Sequence, residues 1–267
     1  MVAVPLVLGD VGRYVAFRNA ERMKGPSDRD DMSKFVVHLC RKHEGSTARQ
    51  NLISILADRT IEARTAHCLF SPLFTKLQFT DVLQSAFKTV CFTETPLNQI
   101  TPLCRKIPGR RFELQPYGLV FHRDHIFSSG GSPAIYINSD GTDLRDYLIE
   151  QFRAHFDGIK SLRKFKRNQR LRHEQIIQYY SFINKMGTGY DFSWEREWRF
   201  NGDFSFKYED LVAIIAKSPL MLKTQIKKRI KGPRGNSLLR KIPIISPEWG
   251  YERIVDEFSR RLWKRKP

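Results

Sequence analysis

Acidic residues are scarce in this chain: 28 Asp and Glu stand against 46 Lys and Arg, for a net charge of +18 over 267 residues. A surface so short of negative charge is a poor host for basic partners. Its field gathers polyanions instead: DNA, RNA or acidic membrane surfaces. Cysteine is also sparse, with Cys40, Cys68, Cys91 and Cys104 the only four. No two form a Cys-x-x-Cys pair, and His67-Cys68 lacks a second half at zinc-ligand spacing, so no metal site is expected. Their largely apolar surroundings predict reduced, buried thiols. Long apolar runs are missing. None approaches the length of a membrane span, and the stretch Val2 to Leu8 lacks the basic and small-residue flanks of a signal peptide. A soluble, cytoplasmic protein with no membrane partner is the expectation. No internal repeat is visible.

What is present is a globular composition, 41% apolar and 12% aromatic, long enough for a sizeable core. Short β-favouring runs alternate with helical patterns. Phe35–Cys40, Thr60–Arg64, Thr89–Thr93, Tyr117–Phe121, Ala134–Ile137, Leu211–Ile215 and Lys241–Ile245 read as strands. Thr47 caps a helix over Ala48–Asp58, and Thr80-Asp81 starts another. Val11 to Arg22 reads as a short helix. Asp143 to Met186 keeps a helical period with a break near Asn168, and basic helices close the chain. The fold class is α+β, a single domain of short mixed strands split by helices, with basic helical extensions. The expected organisation is an N-terminal extension over 1–33, a core over 34–216, and a basic strand/helix extension over 217–267.

The most informative stretch is Phe192-Ser-Trp-Glu-Arg-Glu-Trp-Arg-Phe200. Its aromatic, β-favouring content predicts a strand. Alternation would set Glu195, Glu197 and Arg199 on one face, and Trp194, Arg196, Trp198 and Phe200 on the other. Neighbouring carboxylates repel, so a cation or ligand must compensate or a pKa must rise. Such a pair suits a cationic or hydroxyl-bearing substrate. The plainer reading is an exposed face on which Glu197 and Arg199 pair. His38, Thr93, Glu94, Tyr117 and the two glutamates all sit on or at the ends of predicted strands, from which side chains converge in clefts.

The running order VVHLC, NLISILADRTIEA, VCFTETPL, YGLVFHRDHIF…GGSPAIYI and WEREWRF, over about Phe35 to Phe206, resembles the AbiGi-like abortive-infection family of bacterial phage-defence or toxin–antitoxin proteins. That family in turn resembles the ADP-ribosyltransferase fold of DarT-type nucleic-acid-modifying toxins. The resemblance implies NAD as cofactor. It puts His38 on the NAD ribose, Tyr117 on nicotinamide and Glu197 on the ribose 2′-hydroxyl, with Glu195 priming the acceptor. Thr93 completes the cofactor set, and Arg123 or Arg64 would hold the pyrophosphate. A carboxylate beside an oxocarbenium-like ribose would stabilise the charge that develops when the glycosidic bond breaks.

Basic stretches supply the partner. Ile159 to His173 holds seven Lys/Arg and no acid, and Leu211 to Pro247 holds nine and no acid. The C-terminal end adds five around Trp263. Arg163, Lys164, Lys166, Arg167, Arg170, Lys227, Lys228 and Arg229 are therefore the candidate DNA or RNA contacts, made to phosphates, with aromatic side chains stacking on bases. Two functions follow. One is NAD-dependent modification of nucleic acid. The other is a non-catalytic nucleic-acid-binding antitoxin or regulator on the same fold, with a cognate toxin or antitoxin protein as partner. A metal-dependent nuclease built on Glu195 and Glu197 lacks a third carboxylate nearby.

Overall fold

The computed structural model describes residues 33–107, 110, 112–140, 143–168, 173–188 and 191–263. The helix expected over Val11–Arg22 and the extension over 1–32 lie outside them. The strands are β1 (Phe35–Leu39), β2 (Thr60–Ile61), β3 (Thr89–Thr93), β4 (Tyr117–His122), β5 (Ser132–Pro133), β6 (Ile135–Asn138), β7 (Ile183–Met186), β8 (Glu197–Asn201), β9 (Phe204–Ser205), β10 (Leu211–Ala216) and β11 (Ile244–Ile245). The helices are α1 (Ala48–Asp58), α2 (Ser71–Lys76), α3 (Asp81–Ser85), α4 (Arg123–Ser128), α5 (Leu144–Phe156), α6 (Leu162–Asn168), α7 (His173–Phe182), α8 (Pro219–Arg229), α9 (Pro233–Lys241) and α10 (Tyr251–Trp263). The class is α+β.

Seven strands make one sheet in the order β11-β10-β4-β1-β3-β8-β5, antiparallel except for the β10–β11 pair. β11, from the basic C-terminal stretch, is an edge strand of this sheet. Alternation along β1 places Val36 in one core and Val37 and Leu39 in another, so both faces of the sheet are covered. One face packs on α1, α8 and α9 through Leu52, Leu56, Leu222, Ile226 and Leu238. The opposite face packs on Ile100, Leu103 and Ile254. Gly118 lets β4 approach β1: a Cβ there would lie 2.5 Å from the His38 carbonyl oxygen. Beyond β8 a third core forms a lobe of aromatic side chains from α2, α5, α6 and α7 and the turns around α3, among them Phe70, Phe74, Phe79, Phe87, Phe152 and Phe156.

Local signals account for much of this. The Thr47 hydroxyl accepts from the Gln50 backbone amide, and the Gln50 side-chain oxygen accepts from the Thr47 backbone amide, a reciprocal cap that fixes the start of α1. Thr80 caps α3 in the same way through one bond to Leu83. The long helical run over Asp143–Met186 is three helices, and its last four residues are strand β7, paired in parallel with β6. The expected strand over Phe192–Phe200 requires correction. Ser193–Glu195 forms a short 3-10 turn, Arg196 takes a left-handed conformation at φ 47°, and the strand begins only at Glu197.

Candidate functional site

A cleft of about 410 Å³ opens between α1, the segment around Thr60–His67, and the β1, β3 and β8 strands. His38, Cys91, Thr93, Glu195 and Glu197 all line it. β1, β3 and β8 are adjacent, and the register brings Thr93 opposite Glu197 and Val37 opposite Thr93. Glu195 reaches the same cleft from the 3-10 turn and not by strand alternation. The Thr93 hydroxyl donates to the Glu195 carbonyl oxygen, which pins that turn to the end of β3. Tyr117 and Arg123 are not among the described residues lining the cleft. Tyr117 packs at the margin of the α1-side core. Arg123 bonds Glu94 at 3.0 Å instead, and Glu94 also accepts from the Trp198 indole at 2.8 Å. Arg64 does line the cleft, paired with Glu62 at 3.1 Å.

Each cleft glutamate is met by its own guanidinium. Arg199, 1% exposed, donates from Nε to Glu197 Oε1 at 3.0 Å and from Nη2 to Oε2 at 2.9 Å. Its Nη1 donates to the Ser181 carbonyl at 2.8 Å. The Tyr136 hydroxyl donates to Glu197 Oε2 at 2.7 Å. Burial alone would raise the Glu197 carboxyl. The Arg199 charge outweighs it, together with hydrogen bonds from Arg199, Tyr136 and Cys91, and holds the group below the ordinary range. Glu195 pairs with Arg110, whose side chain is nearly fully buried and donates also to the Leu103 carbonyl. Here burial prevails over Arg110, with Glu197 adding repulsion, and the Glu195 carboxyl is pushed up. The adjacent carboxylates therefore titrate in opposite directions. The pairing of Glu197 with Arg199 noted in the sequence is real, but it is buried and not on a solvated face.

Two further partners of these glutamates, Arg110 and Tyr136, were missed by sequence reasoning. Arg110 lies 85 residues before Glu195 and Tyr136 61 before Glu197. No local pattern links them. Arg41 was missed too. Its guanidinium sits 4.5 Å from the Phe112 ring centroid at the cleft wall. The thiols also need correction: Cys40 and Cys68 are buried, but Cys91 is exposed in the cleft and Cys104 is partly exposed. Of the basic residues, Arg163, Lys164, Lys227, Lys228 and Arg229 are exposed, while the side chains of Lys166, Arg167 and Arg170 lie outside the described ones. No cluster of three or more His, Cys, Asp or Glu suited to a metal occurs among the described residues, and none of their helices is long and apolar enough to cross a membrane.

His38 is held by a hydrogen bond between Nδ1 and the Cys91 carbonyl, 2.9 Å. A carbonyl only accepts, so Nδ1 carries the proton and Nε2 keeps a lone pair. Desolvation lowers its pKa to about 4, assisted by Arg64 and Arg41 and opposed by the Cys91 bond. The ring is therefore neutral at physiological pH. In the unfolded chain it titrates near 6.5. Between these values the unfolded state binds the extra proton, so stability is present above about pH 6.5 and falls as pH drops toward 4. His38→Gln should flatten this limb of a stability–pH curve measured by urea unfolding. A limb unchanged in the variant would assign it to other groups.

A protein-family model described as "Putative abortive phage resistance protein AbiGi, antitoxin" matches residues 71–231. No curated protein and no solved structure matches the chain.

Proposed function

This chain belongs to the AbiGi family of abortive phage resistance proteins, and we propose that it serves phage defence on the antitoxin side, by binding and not by catalysis. The observation that carries this reading is the closure of Glu197, whose two oxygens are held by the buried Arg199 and by Tyr136. A general base needs a free lone pair and a pKa near the working pH. Glu197 has both oxygens bonded and a depressed pKa. The family description supports a protein partner, a cognate toxin. The charge of +18 and the acid-free stretch around α6 support contact with DNA or RNA phosphates through Arg163, Lys164 and their basic neighbours Lys166, Arg167 and Arg170.

A second reading, NAD-dependent ADP-ribosyl transfer on an ADP-ribosyltransferase-like fold, is favoured by one observation. His38, Thr93 and Glu197 come from three adjacent strands and all line one cleft, His38 from the sheet face that carries Phe92. Glu195, with its raised pKa, would then be the proton-transferring group. A single set of samples separates the two. Purified protein is titrated with labelled DNA and RNA at rising salt, and nicotinamide release from NAD is followed in the same mixtures. The binding reading expects strong salt dependence and no release. It also expects Arg163→Gln/Lys164→Gln to flatten the salt slope by about one unit for each phosphate that the variant no longer neutralises. Release that disappears in Glu195→Gln would establish the transferase, and binding indifferent to salt would remove the nucleic acid.

A further inference from the structure

Helix α8 carries an outer face that the core does not use. Leu222, Ile226 and Ile230 point inward and are buried. The residues between them point out. Leu220 is 77% exposed and Met221 49% exposed, at the start of the helix. One to two turns on, Thr224, Lys227 and Lys228 are exposed along the same side, with Lys217 exposed just before the helix and Lys231 just after it. Arg49 of α1 reaches the Met221 Sδ at 2.9 Å and sets a further cation beside the apolar end. No acid lies between Leu211 and Pro247. Among the described residues no ion pair engages Lys217, Lys227, Lys228 or Lys231. The face thus has an aliphatic end and a cationic end, both open to solvent.

We infer that this face of α8 docks an acidic amphipathic segment of a partner protein, with apolar side chains on Leu220 and Met221 and carboxylates on Lys227, Lys228 and Lys231. The inference rests on the reading of the chain as a binding member of a defence pair. Charge complementarity selects the occupant. A second copy of a +18 chain would approach against its own field. Nucleic acid satisfies the lysines but leaves Leu220 and Met221 unused, since a sugar–phosphate backbone offers little apolar surface to bury against them. A helix laid across α8 uses both ends, its apolar anchors giving affinity and its carboxylates register and on-rate. The face sits on the β10–β11 end of the sheet, whereas α6 belongs to the aromatic lobe beyond β8, so one protein can hold both partners.

The probe is a synthetic helix with leucines one turn apart among glutamates, compared by fluorescence anisotropy with polyglutamate of equal charge and with a single-stranded DNA oligonucleotide. The leucine helix should bind about tenfold tighter than polyglutamate. Leu220→Ser/Met221→Ser, both at exposed positions and checked for an unchanged unfolding midpoint because Met221 accepts from Arg49, should erase that preference and leave DNA binding unchanged. Lys227→Gln/Lys228→Gln should weaken the helix and polyglutamate alike. Equal affinity for the two peptides, or weaker DNA binding in the serine variant, would overturn the inference in favour of a purely electrostatic or nucleic-acid face. Concentration-dependent dimers dissolved by the serine variant would overturn it in favour of a second copy. If the helix preference is absent while salt-dependent nucleic-acid binding and NAD inertness persist, this inference falls alone and the proposed function stands.

Discussion

Arg199→Met should destabilise the protein by about 3–5 kcal/mol, because it leaves Glu197 charged and buried without its cation. Glu197→Gln should do comparable harm from the other side. The side chain keeps its shape, but the Arg199 charge, 1% exposed, is left without its counter-ion. The double variant Glu197→Gln/Arg199→Met should recover much of the deficit, since a buried pair replaced as a unit is often nearly neutral. Chemical denaturation of the four proteins measures the cycle. Small, additive effects would mean that the pair contributes little. The pH dependence has the opposite cause from that of His38 but the same direction. A depressed carboxyl contributes stability that is present above its unfolded value, near 4.5, and is lost as pH falls through the folded one. The consequence for function is practical. Glu197→Gln looks isosteric, yet it is no clean test of catalysis, because an inactive variant and an unfolded one would coincide. Glu195→Gln is the milder probe, since Glu195 is more exposed and its carboxyl is already pushed toward the neutral form, but it also leaves the buried Arg110 without its counter-ion and needs the same stability control.

What the chain revealed beforehand follows the range over which its signals act. Thr47 and Gln50 are three residues apart, and the α1 boundaries fall where the capping pattern implies. The β-branched and aromatic runs gave β1, β3 and β4 to within a residue. His38, Thr93, Glu195 and Glu197, expected near one another from the order of predicted strands, all line one cleft, with His38 on the sheet face opposite Thr93 and Glu197. The route for Glu195 was wrong. Nothing in Ser193-Trp-Glu-Arg196 announces that Arg196 turns left-handed and breaks the strand. The turn is fixed by Thr93 holding the Glu195 carbonyl and by the Glu94 amide donating to the Arg196 carbonyl, two bonds that join segments far apart in the chain. Arg110, which pairs with Glu195 from 85 residues away, was unreadable for the same reason, whereas Arg199, two residues from Glu197, was not. Tyr117 shows the limit of strand order itself. It starts a strand next to β1 on the side away from β3, and its side chain packs at the margin of the α1-side core and not on the cleft lining. Of the lobe's short helices α2 and α3 only α3 was announced, by Thr80-Asp81, because the Phe residues around it serve short helices and turns where neither the helical nor the strand period applies.

That lobe should fail locally when its centre is removed. Phe152 is fully buried, with ring centroids of Phe70 and Phe156 at 4.6 Å and of Tyr180 at 4.9 Å. Phe152→Ala deletes the ring that α2, α5 and α7 share, at a cost of about 3–5 kcal/mol. The lobe's core is separate from the two that flank the sheet. Its polar ties to β8 include the Ser181 carbonyl, which takes Arg199 Nη1, and the Ala86 carbonyl and Ser181 hydroxyl, which both take the Asn201 amide. Native-state hydrogen exchange in Phe152→Ala should therefore accelerate in α5 and α7 much more than in β1 and β4. Arg199→Met, which cuts one of these ties as well as the ion pair, should accelerate exchange on both sides. Uniform acceleration in Phe152→Ala would show instead that lobe and sheet unfold as one. In that case the cleft, walled by β8 between them, could not open without global unfolding. If the lobe does open alone, Glu197 and Tyr136 part with it, and the cleft's carboxylate is exposed in a state that the folded protein visits at a cost below its full stability.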